Sequence, residues 1–294
     1  MWVAYYGAND HLVRVDPSTG EMVDDIVVDT SPSWEVGGGG ITVADGSVWI
    51  TGSVSSKTCP DSSGPGQAGL VQVDVATDRP VATVCLGGAF GADVAVDANG
   101  VWVLIFTSGP GADPMQIVHL DPSTLQILGR IDLAETYGHR IFAVGDAVVA
   151  GVNETANSTI GDSVLAIVDP ATATLRDEVH LTSYAFFSAD GDQLWATTGD
   201  GLERLNPLTG SVVAGPFDVL STGDFIGAGA GGVWLLDPEH DRSLFRVDPE
   251  TGKLDLVAEV SGKFEWNDVA FSPDAIWGLG YDGELHRLEL SPRD

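Results

Sequence analysis

The chain has 294 residues, 44% of them hydrophobic, with 13 basic against 43 acidic side chains and a formal charge of −30. Phosphate contacts require a positive surface, so nucleic acid is excluded as a partner, and an anionic membrane surface is disfavoured for the same reason. No run of about eighteen uninterrupted apolar residues is present to cross a bilayer as a helix.

Taken in chain order, short apolar runs recur, each with tryptophan at the same place: Trp2, Trp49, Trp102, Trp195, Trp234 and Trp277, with Val149 filling the one gap. The steps are roughly 40 to 50 residues, the period of a propeller blade. The first unit opens at Trp2 and leads through an apolar strand into Asp16-Pro17-Ser18-Thr19-Gly20. The second shows the complete pattern. Strand a covers 41–43, the Asp45-Gly46 turn follows, and strand b covers 48–50. A long loop over 52–69 leads to strand c at 70–73, then Asp74-Val75-Ala76-Thr77, then strand d at 81–84.

Later units repeat the turn as Asp121-Pro122-Ser123-Thr124, Asp169-Pro170-Ala171-Thr172, Asn206-Pro207-Leu208-Thr209-Gly210 and Asp248-Pro249-Glu250-Thr251-Gly252. The last decays to Glu289-Leu290-Ser291-Pro292. An Asp or Asn side chain that caps the backbone two residues on, followed by Pro with its fixed φ, makes a tight turn. These aspartates read as turn residues, not ligands. The fold class is all-β, a seven-bladed propeller of four-stranded antiparallel blades forming one domain over 1–294. The terminal blades are incomplete, because the first unit lacks strand a and the last lacks strand d. Exposed strand edges invite aggregation, so the expectation is a chain truncated at its N-terminus.

Cys59 lies in the long b–c loop of the second unit and Cys85 ends strand d of the same unit. Alternating strand directions bring these two points to one face. They read either as a disulfide clipping the loop, which suggests an oxidising extracellular, periplasmic or cell-surface location, or as two separate thiols. Asn153-Glu154-Thr155 and Asn157-Ser158-Thr159 are acceptor sequences that matter only in a glycosylating secretory system.

Strand a lines the channel of a propeller, and the d–a and b–c connections crowd one mouth of it. Functional side chains are expected where the repeat is broken there. Immediately before strand a come Gly40, Asp93, Arg140, Phe186, Phe225 and Asp268, and one residue earlier Gly39, Ala92, His139, Ala185, Asp224 and Asn267. Further back are Trp34, Phe90, Tyr137, Tyr184 and Trp266. Aromatics, one Arg, one His and carboxylates at a funnel mouth suit a small molecule, peptide or protein partner. The binding candidates are Trp34, Phe90, Asp93, Tyr137, Arg140, Tyr184, Asp224, Trp266 and Asp268; the competing reading is that the aromatics plug the channel.

Catalytic patterns are sparse. The six histidines show no zinc-protease spacing. No nucleophile elbow or phosphate loop occurs, and the run Gly37-Gly38-Gly39-Gly40 precedes a strand rather than a helix. His139 alone stands at the mouth. Asp190-Gly191-Asp192 and Asp237-Pro238-Glu239-His240-Asp241 could hold calcium, but neither follows the EF-hand pattern, and solvated turns explain them.

The repeat Val-Trp-Val followed by Arg-Val-Asp-Pro-x-Thr-Gly resembles the propellers grouped with virginiamycin B lyase and related YVTN-repeat proteins, over essentially the whole chain. That resemblance implies the fold. It also implies a magnesium-dependent elimination on a cyclic depsipeptide, carried by His and Glu side chains at the mouth. The family's Pro-His-Gly-Ile-like segment is approached only by Tyr137-Gly138-His139-Arg140-Ile141, with Arg in place of the small residue. No second His stands at the mouth, although Glu265 and Asp268 offer carboxylates. The leading expectation is therefore a non-enzymatic binding propeller. The alternative is a lyase or hydrolase with His139 as base or ligand and Glu265 or Asp268 holding Mg or Ca.

Overall fold

The computed structural model describes residues 1–5, 11–28, 40–55, 58–59, 66–107, 114–156, 159–181, 183–219, 225–229, 232–237, 243–259, 266–272, 275–280 and 285–290. Among them every regular element is a strand. Blade 1 is β1 (Trp2–Tyr5), β2 (His11–Val15) and β3 (Met22–Val27). Blade 2 is β4 (Ile41–Ala44), β5 (Ser47–Ser55), β6 (Gly66–Asp74) and β7 (Arg79–Cys85). Blade 3 is β8 (Phe90–Asp97), β9 (Gly100–Phe106), β10 (Met115–Leu120) and β11 (Ile127–Asp132). Blade 4 is β12 (Tyr137–Val144), β13 (Ala147–Ala156), β14 (Thr159–Asp169) and β15 (Thr174–His180).

Blade 5 is β16 (Phe186–Asp190), β17 (Gln193–Thr198), β18 (Gly201–Leu205) and β19 (Val212–Phe217). Blade 6 is β20 (Phe225–Gly229), β21 (Gly232–Asp237), β22 (Ser243–Val247) and β23 (Leu254–Glu259). Blade 7 is β24 (Trp266–Ser272), β25 (Ala275–Gly280) and β26 (Leu285–Glu289). Each sheet is an antiparallel meander with four strands, except that blades 1 and 7 have three. Blade 1 carries strands b, c and d, and blade 7 carries a, b and c. The chain divides into two compact units, Met1–Leu181 with blades 1 to 4 and Thr182–Asp294 with blades 5 to 7. The division falls directly after the blade that has Val149 at the tryptophan position.

The recurrent tryptophan has a recurrent partner. On strand b, Trp2, Trp102, Trp195, Trp234 and Trp277 lie directly opposite Arg14, His119, Arg204, Arg246 and Arg287 of strand c. Trp49 faces Gln72. Four guanidinium carbons stand 5.5–5.9 Å from the ring centroids. His119 lies flat on Trp102, with centroids 3.8 Å apart and planes within 2°. A cation over an indole is attracted by the ring quadrupole, and a cross-strand pair ties the two strands together. Five of the indoles, Trp2, Trp49, Trp102, Trp195 and Trp234, also join an apolar cluster with the following blade. Within the first unit, Trp49 packs with Val103, Ile105, Val118 and Leu120 of blade 3, and Trp102 with Val148, Ala150, Val164 and Val168 of blade 4. Within the second, Trp195 packs with Val233, Leu235 and Val247.

The c–d turns follow the capping chemistry read from the repeat. The Oδ1 atoms of Asp16, Asp74, Asp121, Asp169, Asn206 and Asp248 accept amide hydrogen bonds of 2.8–3.0 Å from two or three residues ahead. The residue ending each turn is left-handed: Gly20, Asp78, Leu125, Ala173, Gly210 and Gly252, with φ from 52° to 75°. Three of these are not glycine, and in each the side chain touches the preceding blade. Asp78 meets Arg14 at 2.9 Å. Leu125 packs on the cluster shared by blades 2 and 3, and Ala173 on the one shared by blades 3 and 4. At Gly252 the reverse holds, because a Cβ there would run into the Phe217 ring of blade 5.

Gly252→Ala is therefore expected to lose at least about 2 kcal/mol, from left-handed backbone strain plus overpacking. Ala173→Gly, which relieves strain but removes a packing methyl, should stay within about 1 kcal/mol of wild type. Urea unfolding midpoints check this order, and equal midpoints for the two variants would refute it.

The Asp121 carboxyl is held down to about 2, first by the Ser123 hydroxyl, then by Thr124 and the Ser123 amide. A depressed carboxyl contributes stability above its unfolded value, near 4, which is lost as pH falls through about 2. A carboxyl ¹³C titration should place Asp121 near that lower value, and Ser123→Ala should move it upward. An Asp121 midpoint in the ordinary aspartate range would contradict the capped turn.

Candidate functional site

In each blade strand b ends and strand c begins at one end, here termed the b–c side, and in blades 2 to 7 strand a begins there too. The a–b and c–d turns lie at the other. The sequence placed Asp93, Arg140 and Asp268 just outside strand a. The strands in fact begin at Phe90, Tyr137 and Trp266 and contain those residues. The reason is a bulge. The register against strand b shifts between Gly91 and Asp93, between Gly138 and Arg140, and between Trp266 and Asp268. This leaves Ala92, His139 and Asn267 as the extra residues. A bulge breaks the two-residue alternation, so from sequence its residues look like connection.

The structure separates the candidates. Phe90 is buried, its ring 4.4 Å from Phe106, and Phe106 meets the half-buried Tyr137 edge-on at 6.2 Å. Burial raises the Tyr137 hydroxyl above the ordinary tyrosine value. Arg140 is half-buried two residues past Gly138 on β12. In the second unit Tyr184 lies edge-on to Phe186 at 5.0 Å. Trp34, Asp224 and Glu265 fall outside the described residues, as do the side chains of His139, Trp266 and Asp268.

Asp93 has a structural task. Its carboxylate is 5% exposed and accepts the amides of Val94 and of Ile141, on strand a of the next blade, both at 2.9 Å. Gly40 makes room for it, since a Cβ there would overlap the Asp93 carboxylate and backbone. Gly91 admits Thr51 of blade 2 in the same way. The last glycine of the run at 37–40 thus serves a close approach between blades 2 and 3.

Cys59 and Cys85 form a disulfide with Cα atoms 5.8 Å apart, and Gln67 Nε2 donates to the Cys59 carbonyl at 3.4 Å. Closing a loop with 26 residues of separation contributes on the order of 3 kcal/mol by chain entropy. The loop between β5 and β6 is thereby tied to the end of β7, on the b–c side.

The remaining candidates are structural or lie elsewhere. His119 Nε2 is 3.0 Å from the Asn99 carbonyl, and His11 Nδ1 is 2.5 Å from Asp25. Among the described residues no group of three or more His, Cys, Asp or Glu side chains converges to hold a metal. Asp190 and Gly191, read from sequence as a solvated turn, border a cavity of about 280 Å³ with Gln193, Trp195, Gly232 and Pro249 on the turn side of blades 5 and 6. Sequence reasoning passed over Glu203. Burial first, and Asp200 second, push its carboxyl above the ordinary value against a hydrogen bond from Thr198. The signal was present: Val13, Val71, Val118, Ala166 and Phe245 occupy its place in blades 1 to 4 and 6, and only blade 7, with His286, also has a polar residue there.

Three solved structures share this architecture. One is hydrazine synthase of Kuenenia stuttgartiensis, at 12% identity and TM-score 0.67 over 96% of this chain and 90% of that one. A chain of a mitotic checkpoint complex matches at 10% and 0.67 over 99% and 84%. The WD40 propeller domain of Doa1 matches at 10% and 0.63 over 97% and 87%. The likeness carries the fold alone: a seven-bladed β-propeller. No protein-family profile matches the chain, and no curated protein sequence does.

Asp93→Ala should cost about 1–3 kcal/mol by orphaning a buried amide, and Asp93→Asn less because an acceptor remains. Hydrogen exchange at the Ile141 amide should accelerate in the alanine variant. Unchanged protection there would show that the carboxylate does not join the blades.

Proposed function

We propose that this chain is a non-enzymatic, exported propeller that binds a peptide, small molecule or protein on the b–c side of its blades. The observation that carries the reading is the disulfide, which fixes the long loop of blade 2 at the end where the strand-a bulges lie. A pre-ordered loop lowers the ordering cost of binding, and a structural disulfide fits an oxidising compartment. In the same unit Tyr137 stands on a floor of Phe106 and Phe90, with Arg140 beside it on β12. Tyrosine gives rigid amphipathic contact area, and a guanidinium gives directional bonds to carboxylate or carbonyl oxygen. Phe90 and Asp93 support this surface from within. Partner binding is also the setting of the similar fold in the mitotic checkpoint complex.

The test is selection of binders from a displayed peptide library, followed by titration against variants. Tyr137→Ala and Arg140→Ala should each weaken selected binders about tenfold, which is about 1.4 kcal/mol. Asp190→Ala, on the turn side, should leave them unchanged, and excess Mg²⁺ or Ca²⁺ should leave the Tm unchanged. Binders insensitive to Tyr137 and Arg140 would overturn the assignment of the face. A saturable Mg²⁺-dependent rise in Tm that His139→Ala abolishes would replace the scaffold with a metal-dependent enzyme.

A further inference from the structure

Strand d carries one extra residue at the same place in five blades: Val23, Val81, Leu128, Arg176 and Val213. In blades 1 to 3, within one compact unit, that residue is apolar and open to solvent, as Val213 is in blade 5 of the other unit. Val23 is 50% exposed, Val81 56% and Leu128 57%, with Met22 at 64% and Ile127 at 40% beside them. The fold does not demand this. Blade 4 places Arg176 at the bulge, where its guanidinium pairs with Asp169 at 2.9 Å. Nor does strand propensity demand it, since threonine serves that purpose at Thr83 and Thr174 of the same outer strands.

A row of exposed apolar side chains repeated from blade to blade marks a contact surface. Its electrical setting narrows the occupant. Glu21 and Asp24 flank Met22 and Val23; Asp25 follows, paired with His11, and Asp132 ends β11, where it accepts from Gln116 Nε2. Among the described residues of these outer strands the basic side chains are Arg130, turned onto the Leu86 carbonyl and Gln116, and Arg79 at the start of β7. The whole chain carries −30, which opposes association with a second copy of itself. Strand addition is also opposed. The bulge interrupts each edge, and the Asp24 carboxylate caps the Asp25 amide at 2.8 Å, as Asp177 caps Glu178 at 2.9 Å.

We propose that the outer strands of blades 1 to 3 form a docking surface for a partner protein that presents apolar side chains framed by Lys and Arg. It engages Met22, Val23, Val81, Ile127 and Leu128 through side chains rather than by adding a strand. This surface is distinct from the b–c side, so one molecule can hold a ligand there and a partner on its rim.

Two synthetic peptides of equal length serve as probes, one alternating Leu with Lys and the other Leu with Glu. They are titrated into wild type and into a Val23→Thr, Val81→Thr, Leu128→Thr triple variant, whose threonines are β-branched and polar and so suit an exposed strand. The Lys peptide should bind wild type at least about tenfold more tightly than the triple variant. The Glu peptide should not bind, and Tyr137→Ala should have no effect. Each single threonine variant should show part of the loss, which keeps the test open if the triple variant folds poorly. Equal binding of the Lys peptide by wild type and the single variants would overturn the proposal. So would a wild-type dimer in sedimentation that the threonine variants lose, because the occupant would then be a second copy.

Discussion

The pairing of an indole on strand b with a guanidinium on strand c is the contact on which four of the blades depend. It joins two strands of one sheet, and in blades 1, 5 and 6 the same ring enters the apolar cluster of the next. A buried tryptophan removes a large apolar area from water, while the cation above it keeps its charge near solvent and covers the ring with its aliphatic stem. Arginine does this in four blades. The acidic chain therefore commits four of its 13 basic residues to contacts within the blades.

Where the indole ends, the turns continue the connection between neighbours. Each c–d turn closes on a left-handed residue. The choice there balances strained backbone against contact with the preceding blade. Asp78 accepts the strain in exchange for an ion pair, and Leu125 and Ala173 in exchange for packing. Gly252 avoids the strain and lets Phe217 occupy the space instead. One backbone geometry thus accepts several interface chemistries, which is how similar neighbouring sheets within a unit can meet through dissimilar contacts.

Much of the fold could be read from the chain because its signals are local. The tryptophan period and the capped Asp-Pro turns lie within stretches of a few residues, and both are found where the spacing predicts. The site was less legible. Asp93 broke the repeat and was polar, which suggested a ligand, but its partner is the Ile141 amide 48 residues away, and a backbone amide leaves no mark in sequence. The Arg14 to Trp2 pairing hid for the same reason, since the distance along the chain changes with every b–c loop. Phe90 looked like a rim aromatic and is instead part of the core, because the bulge that precedes Asp93 moved the start of the strand.

That bulge has a consequence for how such a protein can change over time. In a regular strand every side chain answers to a neighbour across the ladder, and a new residue type must be tolerated by both. Ala92, His139 and Asn267 stand where no ladder partner is assigned. A change at this position leaves the register of the ladder as it is, although at Ala92 the new side chain must still fit the core into which that methyl packs. Three blades carry this extra residue at the same end of the sheet, and the sequence puts a different residue type there in each. Such a position lets selection sample chemistry at one point without renegotiating the pairing of the strands around it.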